Sequence, residues 1–161
     1  MASIINVDQI NEATSGNGVM IPGHVVQVVQ GTTSTVVSAT SSFVDTGLTA
    51  SITPSATSSK ILVMVQQAGC NPANTFTGPL DIKLQRGTTD IHKFGLSLFY
   101  VNPDLGSGFR SVVNANFLDS PSTTSATTYK TVFKANNGGT SRVQTDNANS
   151  VSTIILMEIA Q

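Results

Sequence analysis

Charge is scarce in this sequence. Asp, Glu, Lys and Arg make up 11% of its 161 residues, the net charge is −1, and the first basic residue is Lys60. A chain with no basic stripe has little with which to neutralise phosphates, so no nucleic-acid partner is expected. The same absence removes the positively charged start of a secretory leader. Long apolar runs are missing too: the longest, Ile61 to Val65, is far short of the ~20 residues that span a bilayer as a helix. A soluble, unprocessed chain without membrane insertion is therefore expected. Cys70 stands alone, so no intrachain disulfide can form, which fits assembly in a reducing cytoplasm. With no motif around it, Cys70 reads as a small buried hydrophobe in preference to a catalytic thiol.

What the sequence has instead is hydroxyl. Ser and Thr together supply 40 residues, so the solvated faces must be built from hydroxyls and amides. Abundant Thr and Val with few Lys and Glu favour strands, because β-branched side chains suit a pleated surface and lose rotamer freedom on a helix. The length is that of one domain, and a chain near 150 residues buries roughly 68–70% of its unfolded surface, enough for a core of its own.

The stretch Lys60–Gln67 is the natural centre of that core. Its apolar run is too short for a helix and is bounded by turn formers, and it reads as a fully buried strand. Leu48, Ala50 and Ile52 alternate with polar neighbours before it, as do Leu80, Ile82 and Leu84 after it, each giving a strand with one buried face. Arg86-Gly-Thr-Thr-Asp90 predicts a hairpin into Ile91–Phe94. Val113, Ala115 and Phe117 have period two, as do Tyr129, Thr131 and Phe133. Asn137-Gly138 carries the residues of a tight turn and predicts a further hairpin into Arg142–Thr145. The last strand, Val151–Ile159, is apolar on both faces at Ile154, Ile155, Leu156 and Met157, which places it in the interior or at a subunit contact. Eight to ten short strands without a helical pattern predict an all-β fold: an antiparallel β-sandwich, jelly-roll-like, over residues 24–161.

Residues 1–23 differ. Ile5, Val7, Ile10, Val19 and Ile21 are apolar positions scattered through polar sequence, with neither period sustained. They are too dispersed for a core of their own and too short a run for an independent helix. They read as an extended N-terminal arm for attachment or subunit exchange, which needs a receiving surface on the domain or on a neighbour.

No constellation of catalytic residues emerges. His24 and His92 lie outside any metal-binding spacing, and neither metal nor cofactor is expected. There is no G-x-S-x-G elbow, and Asp104-Leu-Gly-Ser-Gly and Asp146-Asn-Ala-Asn lack the acidic density of a calcium loop and read as turns. Asp81 and Asp90 read as surface charge partners of Lys83, Arg86 and Lys93. Aromatic residues gather between Phe94 and Phe117, mostly as core. A candidate exposed loop holds Tyr100, Asn102 and Asp104, where Tyr100 would offer a platform for a host surface glycan. An enzyme is not expected.

Two stretches resemble proteins of tailed phages. Ile5-Asn-Val-Asp-Gln-Ile-Asn-Glu-Ala-Thr-Ser-Gly-Asn-Gly-Val-Met-Ile-Pro-Gly is similar to N-terminal segments of fibre and minor structural proteins. Val25-Val-Gln-Val-Val-Gln, Thr46-Gly-Leu-Thr-Ala-Ser-Ile-Thr-Pro, Ser58-Ser-Lys-Ile-Leu-Val, Leu118-Asp-Ser-Pro and Leu156-Met-Glu-Ile-Ala resemble small virion proteins of aquatic bacteriophages. The resemblance implies a virion structural protein assembled in the host cytoplasm, homotrimeric, joined to other virion proteins of the tail, baseplate or capsid. The chain has neither shaft repeats nor Gly at every third position. The expectation is thus a short tail-fibre or fibre-tip subunit docking by its arm, with a capsid decoration protein as the alternative and a carbohydrate-active depolymerase behind both.

Overall fold

The computed structural model of the protein describes residues 21–72, 79–98, 110–136, 139–146 and 149–161. Ten strands run through them: β1 (Val25–Thr33), β2 (Val37–Ala39), β3 (Val44–Ile52), β4 (Lys60–Pro72), β5 (Leu80–Arg86), β6 (Thr89–Leu98), β7 (Ser111–Asp119), β8 (Thr127–Ala135), β9 (Ser141–Val143) and β10 (Ser152–Ile159). There is no α-helix among the described residues.

The strands form two antiparallel sheets. The larger has the order β1-β10-β4-β9-β2, with β7 also paired to β4, and the smaller has the order β3-β8-β5-β6. When the two three-residue strands are set aside, the eight long strands in chain order fall as 1-8-3-6 in one sheet and 2-7-4-5 in the other. The chain passes back and forth between the layers. That interleaving is a jelly roll, the expected topology.

Alternation explains the packing. On β3, Thr46, Leu48, Ala50 and Ile52 point inward, and from the facing sheet come Ile61, Val63 and Val65 of β4 and Ile154 and Leu156 of β10. A second cluster of Leu80, Ile82, Cys70, Val113, Phe133 and Val143 closes the other end. β1 crosses β3 so closely that a methyl group on Gly31 would lie 2.0 Å from the Thr49 carbonyl oxygen. Only glycine fits there.

Buried polar groups are paired. Thr46 and Thr131 share a hydroxyl contact of 2.5 Å, Thr131 donates to Gln67 Oε1 at 2.9 Å, and Gln67 Nε2 donates to Ser152 Oγ at 3.0 Å. Gln144 completes the network when its amide oxygen faces Gln67 and Ser152 and its nitrogen donates to the Val143 and Thr35 carbonyls. No buried side-chain nitrogen or oxygen lacks a partner among the described residues, so the network avoids the desolvation penalty of an unmet donor. At the rim, Tyr129 donates to Asp119 at 2.7 Å, and Arg86 grips the same carboxylate at 2.8 and 3.0 Å, tying the small sheet to the large one. Burial, followed by the bond to Asp119 and its charge, pushes the Tyr129 hydroxyl well above its ordinary range.

Two expectations need correction. The strand at Lys60–Gln67 is central, lying between β10 and β7, but it is not buried on both faces: Ile61, Val63 and Val65 are buried while Leu62 and Met64 are only partly covered. The hairpin drawn across Asn137-Gly138, residues that lie outside those described, does not pair its flanks. β8 has both edges occupied by β3 and β5, whereas β9 pairs with β2 and with Asn71–Pro72 of β4. An Asn-Gly pair states that the chain turns; which sheet receives the next strand depends on free edges, a non-local property.

Candidate functional site

Of the residues expected to form the arm, Ile5, Val7, Ile10 and Val19 lie outside those described. Ile21 is described and is 54% exposed. It opens a tight turn, Ile21-Pro22-Gly23-His24, in which His24 N donates to the Ile21 carbonyl at 3.1 Å and Gly23 has φ +88. Proline at the second position and a positive-φ glycine at the third are the signature of a type II turn. His24 Nδ1 accepts from Ile21 N at 3.1 Å, and Gly23 N and His24 O bond to Ala160. Gly23, the last arm position, is thus bonded to the residue that follows β10, and Ile21 is held to His24 by the turn. Tyr100, Asn102 and Asp104 of the expected loop lie outside the described residues.

The feature that stands out is a sheet face. The outward positions of β1, β10, β4 and β7 line up in rows through the register of the ladders. Val28, Met157, Leu62 and Leu118 form one row, flanked by Val25 and Ile159 on one side and by Ile155 and Met64 on the other. Val28, Leu118 and Val25 are 55%, 50% and 46% exposed, and the others are partly covered. Further along the strands the rows turn polar without charge: Gln30 and Asn116, then Thr32, Thr153, Gln66 and Asn114. Lys60, beside Ile159 at the end of the ladder, is the one charged residue on this outer face of the four strands. A contiguous apolar face on one side of a small domain is a candidate interaction surface.

The sequence carried part of that signal. Val151–Ile159 is apolar on both sides, as expected, and its inward residues Ile154 and Leu156 are buried while Ile155, Met157 and Ile159 are half-buried. Val28 and Leu118 are unremarkable on their own strands and Leu62 reads as core; only the register unites them on one face.

Beyond the polar rows lies a shallow concavity of about 330 Å³ lined by Gln66, Ala68, Gly69, Arg110, Ser111, Val112, Asn149, Ser150 and Val151. Its one cation, Arg110, is engaged by Asp146. Asp146 also accepts from Asn149 N at 3.2 Å through its backbone carbonyl, which is the turn expected there.

Several other titratable groups are held by packing and pairing. Cys70 is buried, and burial pushes its thiol up to about 12, with a bond to the Val113 backbone opposing the shift. Such a thiol is inert at neutral pH, as expected of a small buried hydrophobe. His92 is half-buried, stacked on Phe117 at 5.0 Å. Asp90 pairs with Lys83 at 2.7 Å, the expected surface pair, and the bonds from Lys83 and Gln85 lower its carboxyl. Asp81 departs from expectation: it is buried, accepts from Ser97 N at 2.8 Å and lies 3.7 Å from Lys134. No group of three His, Cys, Asp or Glu side chains converges among the described residues.

Glu158 is the residue that sequence reading passed over. It is buried at the end of β10 and receives four hydrogen bonds, from Gln27 Nε2 (2.5 Å), Ser55 N (2.7 Å), Ser55 Oγ (2.6 Å) and Ser59 Oγ (2.6 Å). Burial raises its carboxyl, but the bonds from Ser55, Ser59 and Gln27 together outweigh that, and the net shift is downward. No ion pair includes it among the described residues. It is a structural carboxylate that pins β1 and the loop before β4 to the last strand.

No family model matches the chain, and no curated protein does either. Among solved structures, the chain is similar to one titled "Crystal structure of infectious bursal disease virus VP2 subviral particle", with 12% identity and a TM-score of 0.54 over 83% of this chain and 32% of that one. The chain thus spans about a third of that neighbour's length. At such identity the likeness bears on the fold, and it agrees with the all-β sandwich derived from the strand order.

Proposed function

We propose that the chain is a structural subunit of a virion, without catalysis of its own, and more specifically a homotrimeric short tail-fibre or fibre-tip subunit of a tailed phage. It docks by the arm of residues 1–23 and displays sandwich loops, Tyr100, Asn102 and Asp104 among them, to a host surface glycan. The observation that carries the reading is the apolar outer face of β1, β10, β4 and β7, on which Lys60 is the one charge. The likeness to a viral particle protein and the resemblance of the arm to phage fibre segments support it. The alternative, a capsid decoration protein clamping capsid subunits, draws on the same face and on the particle named in that neighbour's title. A depolymerase stands last, and no reducing ends are expected from envelope polysaccharide.

The test is a particle-incorporation assay with labelled antibody in the electron microscope. Labelling of the tail supports the fibre, labelling of the head supports the decoration protein, and absence from purified particles overturns both. Deleting residues 1–20, which leaves the Ile21–His24 turn and its bonds to Ala160 in place, is expected to keep the strand-rich far-ultraviolet spectrum and to abolish incorporation. Normal incorporation of the truncated protein would remove the docking role of the arm.

A further inference from the structure

The turn at Ile21–His24 bears on what could cover the apolar face. A type II turn closed by a bond from His24 N to the Ile21 carbonyl brings its first and last residues close together and reverses the chain. At Ile21 the chain therefore runs opposite to the direction it takes into β1. β1 pairs only with β10 among the described residues, which leaves its other edge open to the returning chain. The reversal takes place beside Ala160, one residue past Ile159, so the chain arrives at the apolar end of the face.

The chemistry of the preceding residues matches what they would meet. Ile4, Ile5, Val7, Ile10 and Val19 supply apolar side chains, and Asp8 and Glu12 are the only charges in residues 1–20. The face they would lie against has Lys60 as its one charge. Reach is not a constraint. Crossing from β1 to β7 spans three strand spacings, about 14 Å, which four or five extended residues cover.

We propose that in the free chain residues 1–20 fold back over the outer face of the large sheet of the same molecule, with their apolar side chains against Val28, Leu62, Leu118 and Met157. The face is thereby covered before assembly, and the arm is stored on its own domain until a particle surface competes for it. The fold-back concerns the isolated protein and does not require the virion reading; only the release of the arm to a particle surface rests on that reading.

The experiment uses the full chain with isotope-labelled Val, Leu and Met methyl groups and a nitroxide on Ile10→Cys. Cys70, buried with its thiol pushed up to about 12, does not compete for the label. The expected result is severalfold broadening of the Leu62, Leu118 and Met157 methyl signals when nitroxide and isotopes are on one chain. A mixture of nitroxide-bearing unlabelled chains with isotope-labelled chains is expected to show none. Absence of broadening in the first sample overturns the proposal, and broadening in the mixture overturns it in favour of a neighbouring copy's arm. Particle incorporation, measured separately, distinguishes the two readings. A chain that incorporates without same-chain broadening sinks the fold-back alone, and one that shows broadening yet never enters particles sinks the virion reading alone.

Discussion

The two outer faces of the sandwich are built from the same kind of strand and carry opposite chemistry. On the small sheet, Asp45, Asp81, Lys83, Asp90, Lys93, Lys130 and Lys134 lie on the outer side, with Lys83 3.7 Å and Lys134 5.3 Å from the centre of the Phe43 ring. Three ion pairs lace this face: Lys83 with Asp90, Lys130 with Asp45 and Lys134 with Asp81. On β1, β10, β4 and β7 of the large sheet the equivalent positions hold Val28, Leu62, Met64, Leu118, Ile155 and Met157 and a single lysine at one end. In a chain with only 17 charged residues (8 basic and 9 acidic), seven lie on the outer face of the small sheet, whereas the outer face of β1, β10, β4 and β7 has Lys60 alone, with Arg142 further out on β9. Ion pairs on a solvated face add little stability. Burying such charges against another surface would cost their desolvation.

The largest effect expected from probing this division lies inside it, between the two faces of one strand. Leu156→Ala opens a cavity in the core and should cost about 2–5 kcal/mol in urea unfolding, whereas Ile155→Ala, one residue away on the outward side, should cost less than about 1 kcal/mol. Equal losses would mean that the outward face is as deeply packed as the core. Next comes the anchor beneath the sheet's edge. Glu158→Gln removes a charged acceptor of four hydrogen bonds and should destabilise by about 1–3 kcal/mol at pH 7.

The sign of the pH effect follows from the lowered carboxyl of Glu158. Its contribution is fully present above the unfolded value near 4.5 and is lost as the pH falls through the lower folded value. The gap between the parent protein and Glu158→Gln should therefore narrow below pH 4. A gap that stays constant to pH 3 would show that the carboxylate is not what holds Gln27, Ser55 and Ser59.

A charge planted on the apolar face acts on assembly more than on folding. Leu62→Lys should lower particle incorporation tenfold or more, about 1.4 kcal/mol of association, with the far-ultraviolet spectrum unchanged. Lys130→Glu on the small sheet should leave incorporation as it is and shift stability by no more than about 0.5 kcal/mol. The reverse pattern would exchange the roles of the two faces.

Alternation made most of the fold legible in advance. Leu48, Ala50 and Ile52, Leu80, Ile82 and Leu84, and Tyr129, Thr131 and Phe133 all point inward as their spacing implies, because period two is a local property of a half-buried strand. Where the reading failed, the missing information was pairing. Asn137-Gly138 could not reveal that both edges of β8 are filled. Ile61–Val65 showed an apolar run, but not that Leu62 and Met64 face out of the domain. The candidate surface was legible in one strand of four: the two-faced β10 announced a contact, while Val28 and Leu118 join it only through register. Glu158 was invisible because its partners, Gln27, Ser55 and Ser59, lie about 100 or more positions away in sequence.

The central claim is that the large sheet faces protein and the small sheet faces water in the assembled particle, and the five lysines report on it directly. Lys60 lies on the outer face of the large sheet, and Lys83, Lys93, Lys130 and Lys134 on that of the small one. Amine-reactive labelling of purified particles and of the free protein, read lysine by lysine in a mass spectrometer, should show Lys60 protected severalfold in the particle and the other four labelled as in the free chain. Protection of the four small-sheet lysines with Lys60 left reactive would contradict it.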